Sequence, residues 1–295
     1  MDEQKKTEFL ALIRESLRPL NPEGIGELPE PFRGRLYPSY QPKDWQIRAV
    51  LFDVYGTLLQ SATGDMAIQT EYLRGSADAV ALWATEDMTG EELKAFFRDA
   101  VQAEHLRQYA VTPYPEVRAE EMWARLPGKR EDVDPQELAL RYELAINPVY
   151  PMPHLEECLR ELGRRSLVLG IVSNAQFYTP LMLEAVLGKS LEAAGFALDL
   201  CIYSFEVGEA KPSPTLFKQA RGALEKRGIE ASQVLYVGND MLNDVYGAHM
   251  VGFRTVLFAG DGRSLRLREN NRLCQNLVPD LVIRDLSDLV WIGGL

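Results

Sequence analysis

The chain is poor in cysteine, in histidine and in positive charge, and each shortage rules something out. Its three cysteines, Cys158, Cys201 and Cys274, show no CxxC spacing. That excludes a disulfide framework and a thiolate zinc site, and it fits a reducing compartment. The three histidines, His105, His154 and His249, share no metal-ligand spacing. Lysine and arginine number 32 against 43 aspartates and glutamates, a formal net charge of −11. A nucleic-acid binder would show a basic stripe instead. An anionic small molecule would meet a repulsive average field, so a site for one must be locally positive. No stretch approaches the roughly 18 apolar residues that cross a bilayer. The opening MDEQKKTEFLALIRESL lacks the apolar run and small-residue cleavage site of a secretory leader. Together these shortages predict a cytoplasmic protein without a nucleic-acid or membrane partner.

What is present describes a globular protein of about two domains by its length of 295 residues. Phe9, Leu10, Ile13 and Leu17 recur at helical spacing and predict an amphipathic helix over residues 3–18. From Pro19 to Pro42 the chain carries six prolines and three glycines with no sustained period, as an extended surface connector would. Beyond it, short apolar runs predict strands at Ala49–Asp53, Leu167–Ser173, Leu198–Ser204, Val234–Gly238 and Thr255–Phe258. Strands buried on both faces of a parallel sheet have this composition. Helical patterns lie between the later runs, at 154–164, 178–194 and 213–227, the last ending at Gly228. Alternating strands and helices predict a doubly wound α/β sheet of Rossmann-like type, whose sites form beyond the carboxyl ends of the strands.

One interval departs from the alternation. Residues 60 to about 152 show no strand pattern. Thr89 and Glu92 make a capping box ahead of Leu93, Phe96, Phe97, Ala100 and Val101. Asp134 and Pro135 open another helix. The expected organisation is an N-terminal arm (1–47), a core (48–60 and 153–295) and an all-helical cap inserted after the first strand (61–152). Trp83, Trp123 and the Phe96–Phe97 pair are expected in the core of that cap. Arg74, Arg107 and the Gly128–Arg130 run are expected on solvated surface.

Four segments fall at predicted strand ends: FDVYGTL with Asp53, IVSNA with Ser173 and Asn174, GEAKPSP with Lys211, and YVGNDMLNDV with Asp240 and Asp244. A carboxylate driven onto the end of an apolar strand is costly unless it is paired or coordinated. It can also attack an electrophile and form a covalent intermediate that water cleaves. Gly56 permits a tight turn after Asp53. Ser173 can hydrogen-bond a substrate oxygen, and Lys211 can compensate the nucleophile and an anionic group in transfer. Asp53 with Asp240 or Asp244 would make an oxygen-rich site for Mg²⁺.

These segments, in this order and with a helical insertion after the first, resemble the haloacid dehalogenase superfamily of hydrolases over residues 48–260. The resemblance implies Asp53 as nucleophile, Ser173 and Lys211 as the second and third motifs, acids after the fourth strand, and a mobile cap. It also implies the backbone carbonyl of Tyr55 as a metal ligand. Most phosphatases of the superfamily carry an acid/base aspartate where this chain has Tyr55. The 2-haloacid dehalogenases carry tyrosine there and need no metal, since a departing halide requires no proton. Against that, Asp240 and Asp244 beside Asp53 would repel one another without a cation. The resulting expectation is Mg²⁺-dependent hydrolysis of a small phosphorylated, anionic metabolite. A metal-independent 2-haloacid dehalogenase is the first alternative, and a non-catalytic binding protein on the same fold is the second. The segment GDGRSLRLRE from Gly260 is expected to begin as a turn and continue as helix, with no chemistry assigned.

Overall fold

The computed structural model describes residues 1–63 and 74–295, with side chains of the inserted segment from Ser76 onward. Helix α1 (Glu3–Ser16) is capped by Asp2, whose carboxylate accepts from the Lys5 backbone N–H. Strand β1 (Ala49–Phe52) follows the proline-rich arm, and β2 (Leu59–Ser61) comes one turn later. Helices α2 (Arg74–Ala84), α3 (Gly90–Gln108), α4 (Ala119–Trp123) and α5 (Pro135–Ile146) make up the insertion, and β3 (Val149–Pro151) leaves it. The core then runs through α6 (Leu155–Arg164), β4 (Val168–Ser173), α7 (Thr179–Leu187), β5 (Phe196–Tyr203) and α8 (Ser204–Val207). It ends with α9 (Thr215–Glu225), β6 (Val234–Gly238), α10 (Gly247–Met250), β7 (Arg254–Phe258) and β8 (Leu281–Ile283).

Six strands form one sheet in the order β5-β4-β1-β6-β7-β8, with every pairing parallel. Alternate residues of a strand face opposite sides. Accordingly, Val50 and Phe52 of β1 join one apolar core while Ala49 and Leu51 join the other. Each face is covered by helices with a matching stripe. On α6 the buried residues are Leu155, Cys158, Leu159 and Leu162, and on α9 they are Leu216, Phe217, Ala220 and Leu224. Because β1 lies in the middle, its carboxyl end is flanked by β4 on one side and β6 on the other. This is why Asp53, Ser173 and the residues after Gly238 meet.

The chain departs from the sequence reading in several places, one being the sixth sheet strand, β8, which the reading did not place. Two strands lie in the interval read as strand-free: β2 and β3 pair antiparallel, Leu59 opposite Pro151 and Ser61 opposite Val149, at the base of the insertion. Three residues each, one of them a proline, leave too little pattern to read. The segment after Gly260 forms no helix. Instead it lies alongside the fourth motif, with Arg266 N–H donating to the Asn239 carbonyl and Met241 N–H to the Arg266 carbonyl. The helix read over 178–194 stops at Leu187, where Gly188 takes a left-handed conformation at φ 66°. Helix α1 packs on its own chain: Phe9 meets Phe177 at 6.4 Å between ring centres, Lys6 pairs with Glu184, and Lys5 donates to Gln136 of α5. It therefore touches both the core and the insertion.

Candidate active site

Asp53 follows β1 directly, and its backbone N–H still donates to Val237 of β6. The residue is 7% exposed. Its Oδ1 accepts from Ser173 Oγ at 2.9 Å and from Lys211 Nζ at 2.7 Å. Among the described residues no hydrogen bond reaches Oδ2. Lys211 is itself buried, and its ammonium also donates to Asp244 Oδ1 at 2.6 Å, Tyr236 Oη at 3.1 Å and the Val172 carbonyl at 3.2 Å. Burial pushes the Lys211 ammonium down, but Asp244 and Asp53 together outweigh it, so its pKa lies above the ordinary value. A lysine saturated in this way is a fixed positive point between two carboxylates.

Asn174 does not reach Asp53. Its amide brackets the backbone of Lys211, with Nδ2 donating to the Lys211 carbonyl and Oδ1 accepting from the Lys211 N–H at 2.6 Å. That holds the lysine's backbone against the end of β4. Tyr55 sends its hydroxyl to Thr179 Oγ1 at 3.0 Å and to Met182 Sδ. Burial first, then Glu143, raise its pKa well above 10, so it keeps its proton near neutrality.

The fourth motif closes the site through a single π-helical turn, Met241–Tyr246. Asp240 caps this turn, accepting from the N–H groups of Leu242 and Asn243. The same carboxylate is gripped by Arg268 through Nε at 3.1 Å and through Nη2. Asp244 is fully buried, and burial raises its pKa to about 7 against the opposing pull of Lys211. Gly238 makes room for it: a Cβ there would stand 2.5 Å from the Asp244 Cβ. Asn239 ties loops together, accepting from Thr57 Oγ1 and donating to the Ser264 carbonyl. Gly56, at φ 79°, is pressed against that Asn239 amide.

A cavity of about 290 Å³ opens over these groups. Asp53, Tyr55, Asn174, Lys211, Asp240 and Asp244 all line it. Residues that the sequence reading left without a role line it too, namely His105 of α3, Glu116 of the insertion, and Arg266 and Arg268. Glu116 accepts from Ser204 Oγ, and burial pushes its pKa up. Tyr236, buried behind the cavity against Lys211 and Asp244, is a further site residue that the reading passed over, although a tyrosine inside the apolar run VLYVG was a visible signal. Glu116 and the two arginines gave none, since their partners across the site, Ser204 for Glu116 and residues 239–241 for the arginines, are far off in sequence.

Other residues go where expected. Trp123 is buried and stacks on Phe97 at 4.7 Å. Arg107 pairs with Glu104, and Lys129 donates to the Val133 carbonyl; neither lines the cavity. The Arg74 side chain lies outside the described residues. Among the described residues no group of three or more His, Cys, Asp or Glu side chains is arranged to hold a metal ion. No helix among them is long and apolar enough to cross a membrane.

The sheet order and the position of this cavity are those of a Rossmann-like α/β enzyme. The chain belongs to the haloacid dehalogenase-like hydrolases, whose family model matches residues 47–252. It is 30% identical over 225 residues to the phosphoserine phosphatase of Thermus thermophilus, spanning 75% of this chain and 76% of that protein. The crystal structure of a HAD phosphatase from Thermococcus onnurineus matches with a TM-score of 0.55 at 26% identity, covering 84% of this chain and 99% of the other. A 2-haloacid dehalogenase from Pseudomonas syringae pv. Tomato matches with a TM-score of 0.53 at 21% identity, over 82% and 96% of the two chains, and shares the fold.

Proposed function

We infer that this hydrolase cleaves a small phosphomonoester, with Asp53 as nucleophile and the helical insertion as the cap that selects the substrate. The carrying observation is the pattern on Asp53: Oδ1 is held by Ser173 and Lys211 while Oδ2 takes no hydrogen bond among the described residues. One oxygen is thereby anchored and the other can attack. The phosphoserine phosphatase relative, matched along three quarters of both chains, supports phosphorus as the target.

In this reading Asp53 Oδ2 bonds to phosphorus as the phosphorus–oxygen bond to the alcohol breaks. The departing oxygen takes its proton from water. A second water then cleaves the aspartyl phosphate, releasing inorganic phosphate and restoring Asp53. Ser173 and Lys211 fix the nucleophile, and Lys211 offsets the charge that gathers during transfer. Asn174 acts on the lysine's backbone rather than on the substrate.

A Mg²⁺ ion would be held by Asp53, the Tyr55 carbonyl, and Asp240 or Asp244, all hard oxygen donors of the kind that ion prefers. When bound it supplies charge neutralisation and orientation to the phosphoryl group. The donors fit in kind. Asp240 and Asp244 are each already neutralised within the chain, by Arg268 and Lys211. Their mutual repulsion therefore does not by itself demand a metal. That observation, with Tyr55 in place of an acid, favours the second reading, metal-independent 2-haloacid hydrolysis. Turnover of a panel of phosphate esters and 2-haloacids, with and without EDTA, decides between the two. Phosphate release that is lost on chelation and restored by Mg²⁺ supports the first; halide release indifferent to EDTA supports the second. Absence of turnover on the whole panel would leave the binding-protein alternative.

A further inference from the structure

We propose that Glu116 is a positioning residue for Lys211, holding from the insertion the two backbone segments that carry the second and third motifs. The role goes beyond the phosphatase reading and rests on it for the reaction that is measured. The insertion meets the core at the β2–β3 pair at its base. It meets the core again through a short antiparallel ladder. There the Glu116 N–H donates to the Gly208 carbonyl at 3.2 Å, and the Ala210 N–H donates to the Tyr114 carbonyl at 2.9 Å. Ala210 is the residue before Lys211, so the ladder ends at the lysine whose ammonium grips Asp53.

The Glu116 side chain ties this ladder to the second motif. Its Oε1 accepts from the Val117 N–H at 2.8 Å and from Gln176 Nε2 at 3.3 Å, and its Oε2 accepts from Ser204 Oγ. Ser204 Oγ in turn accepts from the Ala175 N–H at 2.8 Å. Gln176 spans the same junction, with Nε2 donating to the Val117 carbonyl and Oε1 accepting from the Ala119 N–H, both at 2.8 Å. Ala175 and Gln176 follow Asn174 directly, and Asn174 brackets the Lys211 backbone. The Asn174–Lys211 pair is therefore held on one flank through Ala175 and on the other through Ala210, and Glu116 belongs to both holds. Ser204 and Gln176 are buried, so their bonds to Glu116 are made out of reach of competing water. The joint works through hydrogen bonds and does not need charge. In Glu116→Gln the amide oxygen can take the Val117 and Gln176 donors, and the amide NH₂ can donate to Ser204 Oγ. The Ser204 hydroxyl can then turn to the Ala175 carbonyl, 3.2 Å away.

The test compares the full-length wild type with Glu116→Ala, Glu116→Gln and Ser204→Ala. Kinetics use the phosphate ester that the wild type turns over fastest, with Mg²⁺, and hydrogen exchange is followed separately. Lys211 acts on charge that gathers during transfer, so its displacement is expected in kcat more than in KM. Glu116→Ala should lower kcat roughly tenfold or more with KM within about threefold, and Glu116→Gln should recover most of that loss. Ser204→Ala should lose part of it. The double variant of Glu116→Ala with Ser204→Ala should fall no more than about twofold below Glu116→Ala alone, since both cut one link. In Glu116→Ala the amides of residues 114–117, 174–176 and 208–211 should exchange about tenfold faster, while those of β1 keep the wild-type rate. Wild-type kcat in Glu116→Ala overturns the proposal. So does a loss that Glu116→Gln does not recover, full additivity of the two alanine variants, or faster exchange spread equally through β1. If Glu116→Ala does not fold, Ser204→Ala carries the kinetic and exchange comparison. No turnover of any phosphate ester by the wild type overturns the phosphatase reading, and exchange then decides the joint by itself.

Discussion

The hydroxyl of Tyr55 lies 3.0 Å from Thr179 Oγ1, on the helix that follows the second motif. The side chain standing two residues after the nucleophile is thus committed to holding α7. In the proposed mechanism it takes no part in proton transfer.

Two outcomes follow from that commitment. Tyr55→Phe should change kcat/KM less than about fivefold, because it removes one hydrogen bond worth about 1 kcal/mol and no acid. Rates on phosphate esters should also depend steeply on the leaving group, aryl esters far outpacing alkyl ones, since a general acid commonly supplies ~10²–10⁴-fold. A flat dependence across a leaving-group series would show that another residue donates the proton.

Asp53→Asn should abolish turnover while the melting temperature stays near that of the wild type. Full activity in that variant refutes Asp53 as the nucleophile.

Lys211 is the counterion of two buried carboxylates, so its removal affects stability as well as chemistry. Lys211→Met should cost about 3 kcal/mol or more, the usual penalty for stranding buried charge. Adding Asp244→Asn should recover part of that loss, because one stranded carboxylate is neutralised. Urea melts of the two single variants and the double variant give the coupling directly. Strict additivity would mean that the 2.6 Å contact carries no energy.

Gly238→Ala should lower activity at least tenfold, because the added methyl would displace the Asp244 carboxylate from Lys211. Wild-type kcat in this variant would contradict the packing at the end of β6.

Glu143, buried at the base of the insertion beside Asn147 and Tyr178, has its pKa raised by burial to about 7. The folded chain therefore holds a proton there that the unfolded chain releases near pH 4.5. The stabilisation is complete below that pH and is lost as pH rises toward 7. Glu143→Gln keeps the uncharged amide in place, so the melting temperature should fall less between pH 5 and 8 than in the wild type. Parallel curves for the two proteins would remove the assignment.

The central strands were legible because AVLF, VLGIVS and VLYVG are buried on both faces, and the sequence has to state that continuously. The nucleophile, the serine and the lysine were legible because each sits at the end of such a run. Legibility stopped where partners are distant in sequence. Asp240 and Asp244 looked interchangeable, and only the fold shows one as the cap of a turn held by Arg268 and the other as the partner of Lys211. The arginines after Gly260 read as a charged helix because their charge spacing carries no sign of the backbone ladder with Asn239 that straightens them. β2 and β3 were hidden by their brevity.

The anchoring of Gly262 and Asp261 by Glu23 gives the proline-rich arm a bearing on the chemistry. All four motif segments lie downstream of it, so a version cut back to residue 47 would retain every reacting group yet lose the strut behind the loop at Asp261 and the buried side chains of Phe9, Ile13, Leu28 and Phe32. Such a truncation is expected to melt well below the full chain, so that possession of the motifs and integrity of the site come apart along a seam that the motifs themselves do not mark.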